Sequence, residues 1–164
     1  MDIEAALQSL QNSNIGTAIR ENEILFPWIE SIHVLAIVLV VGTISIVDLR
    51  LIGVASLDRA VSRLMRDVLP YTWSAFVVAA ISGVLLFTSN ATTYAHNFFF
   101  LGKMALLVLA GLNMALFHIS GIRGIEGWGP TRNTPLAAKM AGAISLSVWV
   151  FVIFFGRWIG FTLH

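Results

Sequence analysis

The stretch WIESIHVLAIVLVVGTISIVDLRLIG, residues 28–53, decides the fold. It is apolar over more than the roughly 20 residues that a helix needs to cross a bilayer core. Yet it holds Glu30 and His33 near one end and Asp48 and Arg50 near the other. An ionisable group inside lipid costs about 2.5–3.5 kcal/mol or more at the centre, so such groups face a bundle interior or a wet cavity. The rest of the chain fits a membrane setting. Of 164 residues, 57% are hydrophobic and 12% charged, and the mean hydropathy is +0.84. So few charges would not cover the surface of a water-soluble domain. A net charge of +1 argues against nucleic acid as a partner, because phosphate binding needs a concentrated basic surface. The absence of cysteine excludes disulfides, thiolate metal sites and covalent c-type haem.

Four spans are expected, at about residues 27–49, 70–88, 98–119 and 136–160. Pro27 and Pro70 suit the first turn of a helix. Trp28, Trp73, Phe98 and Trp158 read as interface aromatics at span ends. The reading is therefore an all-α integral membrane four-helix bundle in one domain. Residues 1–22 add a short amphipathic surface helix, with Ile3, Leu7 and Leu10 at helical spacing and NSNIG breaking it. The segment lacks the basic and apolar regions of a signal peptide. GIEGWGPTRNTP, residues 124–135, reads as a loop. Two small-residue seams mark close helix packing: Ala75, Ala79 and Gly83 in the second span, and Ala137, Ala141 and Ser145, flanked by Ala138 and Gly142, in the fourth. Seven of the ten basic residues fall on one side: Arg50, Arg59, Arg63, Arg66, Arg123, Arg132 and Lys139. Arg20, Lys103 and Arg157 fall on the other, with Asp2, Glu4, Glu21, Glu23 and Glu30. The positive-inside rule then puts both termini outside a bacterial inner membrane.

Depth groups the charges inside the spans. At about 1.5 Å per residue, His33 and Lys103 each lie about 8–9 Å in from the outer boundary. Glu30 and Arg157 share that leaflet. Two readings stand: a structural ion-paired cluster of Glu30 with Lys103 or Arg157, or a site with His33 as ligand. As a b-type haem ligand, His33 would pair with Met104 at matching depth, or with His96 if the third helix began earlier. His33 would also be the metal ligand of any metal site. Glu30-x-x-His33 has the spacing of half a di-iron site, but a single copy is a weak signal. Asp48, Asn113 and His118 form a second polar group toward the cytoplasm, where His118 also reads as an ordinary interfacial histidine. His118 lies roughly 20 Å from His33 in depth and shares no iron with it. Arg50, opposite Asp48 on the helix, reads as a snorkelling anchor. Hydrolase and nucleotide-binding motifs are missing.

The pattern E-x-x-H followed by D-L-R-L-x-G (Glu30, His33, Asp48, Leu49, Arg50, Leu51, Gly53) resembles the first span of a bacterial family of small membrane proteins of unknown function. The resemblance continues through Leu69–Pro70, SGVLLF, LGKM, GLNMALFH and SLSVW…GR, and so covers nearly the whole chain. It implies four spans and an inner-membrane location, and no activity. A looser, fold-level likeness links it to copper-resistance membrane proteins and haem-containing four-span proteins. Three functions are compatible: a haem-binding redox protein, a non-enzymatic accessory subunit of a larger membrane complex or homo-oligomer, and a small transporter or metal-handling protein. The bilayer is the one partner that all three require. Reporter fusions at Ser62 and Thr131 are expected to read as cytoplasmic; a periplasmic signal from either would reverse the orientation.

Overall fold

The computed structural model describes residues 2–125 and 134–162, with side chains through Ile119 and again from Thr134. Arg132 and most of the loop expected at residues 124–135 lie outside the described residues, as does the side chain of Arg123. The elements are α1 (Ile3–Gln11), α2 (Asn14–Glu21), α3 (Leu25–Ile52), α4 (Val61–Ser89), α5 (Ala91–His96), α6 (Phe98–Ile125) and α7 (Leu136–Thr162). No strand occurs among the described residues. Of these elements, α3, α4, α6 and α7 are long and apolar enough to cross a membrane. Only helices of this kind satisfy their own backbone in lipid.

The four spans run up and down. Around the bundle the order is α4, α3, α7, α6, each packed on the next. The circuit does not close, because α4 and α6 share almost no backbone contact among the described residues. One end of the bundle carries the start of α3 and the end of α7, and is called the terminus end. The other carries the α3–α4 connection and is called the loop end. The seams act as expected in α4, where Ala75 and Ala79 are buried and Gly83 faces His33. In α7 the packed row is Ala138 and Gly142 instead. A Cβ on Gly142 would sit 3.0 Å from the Asp48 carbonyl oxygen, whereas Ala137 is exposed.

Two boundaries differ from the sequence reading. Helix α4 begins nine residues before Pro70, which therefore lies inside it. Pro70 is exposed, and the preceding turns are held by burial of Val61, Leu64 and Met65. That apolar face outweighs the loss of one backbone hydrogen bond. The N-terminal segment is two helices, not one. Ser13 caps α2 by accepting from the Gly16 amide at 3.2 Å. Both dock on the terminus end: Arg20 donates to the carbonyl oxygens of Gln11 and Ser89, and the Gln11 amide oxygen accepts from the Thr92 amide and hydroxyl. Helix α5 had no counterpart in the sequence reading. Its six residues are too few for a periodic signal.

The loop end also corrects the reading of Arg50 as a lipid-facing anchor. Gly53 stops α3 in the left-handed conformation (φ 91°), which glycine adopts without a Cβ clash. The returning chain then covers Arg50, which is 2% exposed. Its Nε donates to the Arg59 carbonyl oxygen at 2.8 Å, and its guanidinium also reaches Thr134 Oγ1 at 3.4 Å. One planar head thus ties the α3–α4 connection to the start of α7. A lysine ammonium is a compact point charge without the planar fork, and it does not span both. Arg50→Lys is expected to lower stability by about 2 kcal/mol, measured by thermal unfolding in detergent; an unchanged transition would restore the anchor reading.

Candidate functional site

His33 and Lys103 are the two members of the expected outer cluster that meet. Gly83 makes room for the imidazole, since a Cβ there would stand 3.0 Å from His33 Cε1. His33 Nδ1 lies 2.9 Å from the Ala79 carbonyl oxygen and 3.0 Å from Ser82 Oγ. A carbonyl only accepts, so Nδ1 carries the proton and Nε2 is the acceptor. Lys103 Nζ fills that role as donor, at 3.4 Å. The lysine lies against Gly156 of α7. Among the described residues, no carboxylate stands within ion-pair distance of it.

The other members of that cluster point elsewhere. Arg157 follows Gly156 by one residue, a turn of about 100° that takes it off the lysine. It is exposed and lies over the Phe161 ring, 4.6 Å from the centroid. Glu30 is exposed and stands near Tyr94 of α5. Burial and, second, the Glu30 charge raise the Tyr94 hydroxyl above its ordinary value. Met104 is 38% exposed. His96 closes α5 and lies beside Glu4, at 3.8 Å. Both His33 ring nitrogens have partners and His96 lies beside Glu4 instead, so this arrangement does not fit an axial His33–His96 pair. No group of three or more metal-ligating His or carboxylate side chains occurs among the described residues.

The second polar group comes together more fully. Asp48, Asn113 and His118 line one cavity of about 170 Å³ between α3, α4, α6 and α7. Its walls include Thr72, Trp73, Phe76, Gly111, Met114, Ser145 and Trp149. Trp73, expected as an interface aromatic, is part of this wall. The exposed Trp73, Phe76 and Met114 form the rim, so the cavity opens sideways through the gap between α4 and α6. At the terminus end that gap is shut. Phe87 of α4 stacks on Phe100 of α6 at 5.3 Å, and Tyr94 packs on Phe100 at 5.5 Å. The cleft is therefore closed above and open below.

At the bottom of the cavity Asp48 is 5% exposed. Ser145 hydrogen-bonds its carboxylate, but Oδ2 has no partner. An unpartnered buried oxygen costs about 1–3 kcal/mol or more. Sequence reasoning did not single out Ser82 or Gly111 and named Ser145 only as a packing residue. Ser82 and Ser145 belong to small-residue rows, and that pattern signals packing without saying which member turns a hydroxyl inward.

Four apolar spans packed around internal polar groups define a multi-pass membrane protein of the four-helix type. The chain belongs to a family of unknown function, DUF6644, whose model matches residues 14–162. No curated protein and no solved structure matches it.

His33→Leu would strand the Lys103 ammonium and is expected to cost about 2 kcal/mol. Adding Lys103→Leu should recover most of that loss. Thermal unfolding of the single and double variants measures the coupling; strictly additive losses would mean the pair does not interact.

Proposed function

We propose that this chain is a small carrier-type protein of the bacterial inner membrane, with both termini outside, that takes up an amphipathic small molecule from the inner leaflet. The single observation behind this reading is the side-opening cavity with an unpartnered carboxylate oxygen at its base. A dry cavity of roughly 150 Å³ holds a benzene-sized group, so this one suits the head and first ring or chain segment of a ligand whose tail stays among the lipids. The charge pattern supports the orientation: Arg59, Arg63 and Arg66 are exposed at the loop end, where the cavity opens.

In this reading the His33–Lys103 pair is a clasp. It joins α3 to α6, two helices whose backbones stand apart among the described residues, and it holds the outer half shut while the inner half admits ligand. The haem reading is less favoured because His33 Nε2 already faces the Lys103 ammonium. The test uses Gly111, an exposed lining residue of the cavity where an added Cβ would meet no atom within 4 Å, so a larger side chain at the cavity mouth is accommodated without a clash. Mass spectrometry of small molecules co-purified in nanodiscs should find a species with the natural chain that Gly111→Leu loses, at unchanged thermal stability. Identical extracts from the two would defeat the carrier reading and favour an accessory subunit. A reduced-minus-oxidised haem band that vanishes in His33→Ala would restore the redox reading.

A further inference from the structure

Resting on that cavity reading, we propose that the ligand's head is a cation, an amphipathic amine in its ammonium form, bound at Asp48. The argument is a census of donors. Asn113 spends one of its two amide hydrogens on the Ala141 carbonyl oxygen at 3.1 Å, which leaves its Oδ1 as acceptor and one N–H. His118 Nδ1 lies 3.0 Å from the Met114 carbonyl oxygen, so Nδ1 carries the proton and Nε2 accepts. Thr72 donates to Thr43 Oγ1 or to the Val68 carbonyl oxygen. Ser145 donates to Asp48, and Asp48 Oδ2 has nothing. With Asp48 ionised, the polar side-chain groups left over in this cavity are acceptors, apart from the two indole N–H groups and the second Asn113 N–H.

A ligand must therefore bring the donors, and an ammonium brings three. Charge points the same way. Among the described residues, no Lys or Arg lines the cavity. Lys103 is engaged with His33, and Arg50 with Arg59 and Thr134 at the far face of α3. The carboxylate thus lacks a protein cation inside the cavity, where low dielectric strengthens a charge-assisted hydrogen bond. Trp73 and Trp149 add aromatic faces, which attract cations. A carboxylate or phosphate ligand would meet acceptors and a negative charge.

The test compares phenylbutylamine, phenylbutanol and phenylbutyrate, which share one apolar body. Each is titrated into the full chain in phosphatidylcholine nanodiscs, read by tryptophan emission and by the rise in unfolding temperature. The amine is expected to bind about tenfold more tightly than the alcohol. Asp48→Asn should bring the amine down to the alcohol's level, and Gly111→Leu should weaken all of them. Should Asp48→Asn fail to fold, the amine-to-alcohol ratio on the natural chain still decides. Equal binding of amine and alcohol would overturn the cation proposal and leave the cavity reading standing, and so would preference for the carboxylate. Failure of every probe to bind the natural chain would overturn both.

Discussion

Lipid gives no hydrogen bonds, and that constraint puts α3 in the middle. This helix carries His33, Thr43, Asp48 and Arg50 on different faces, and each needs a partner that lipid does not supply. His33 finds α4 and α6. Thr43 accepts from Thr72 of α4. Asp48 meets Ser145 of α7, and Arg50 meets the returning chain at Arg59 and Thr134. The faces that carry these groups are the packed ones, while Val34, Leu35, Val38 and Leu39 on the remaining face are exposed. Helices α4 and α7 then flank α3, and α6 is left to pack on α7.

The gap between α4 and α6 follows from that arrangement. Four helices packed in series need a fourth contact to close a ring, and among the described residues it is found near one end. Aromatic rings at Phe87, Tyr94 and Phe100 supply it, with the short α5 placed between the two helices. At the other end the facing residues include Gly111, which offers no side chain to bridge the space. The cavity is the unfilled part of the ring, and Asp48 looks into it because α3 forms its back wall.

Two polar centres at different depths follow from one helix. At the centre nearer the terminus end both His33 nitrogens have partners, one of them the Lys103 ammonium. The centre nearer the loop end is not saturated, because Asp48 Oδ2 is left over. A saturated polar pair holds helices together, while an unsaturated one is a place for something else to bind. That contrast, more than the identity of the residues, separates the clasp from the candidate site.

Much of the architecture was legible in the residues. Hydropathy over about twenty-residue windows marks a span whatever its neighbours are, since the bilayer sets the length; so the four spans were readable locally. Depth counting also brought His33 and Lys103 to one level. Depth does not say which way a side chain points around its helix axis, and there the structure departs from the sequence. Arg157 and Met104 share the depth but are exposed, and Arg50 is enclosed by a loop that hydropathy cannot fold. Whether a buried acid has a partner depends on rows from three other helices. Asp48 was visible in the sequence as a charge in a span, but its free oxygen, the open side of the bundle and the acceptor-lined cavity exist only once α4 and α6 stand apart, because packing between helices acts at distances that no local pattern encodes.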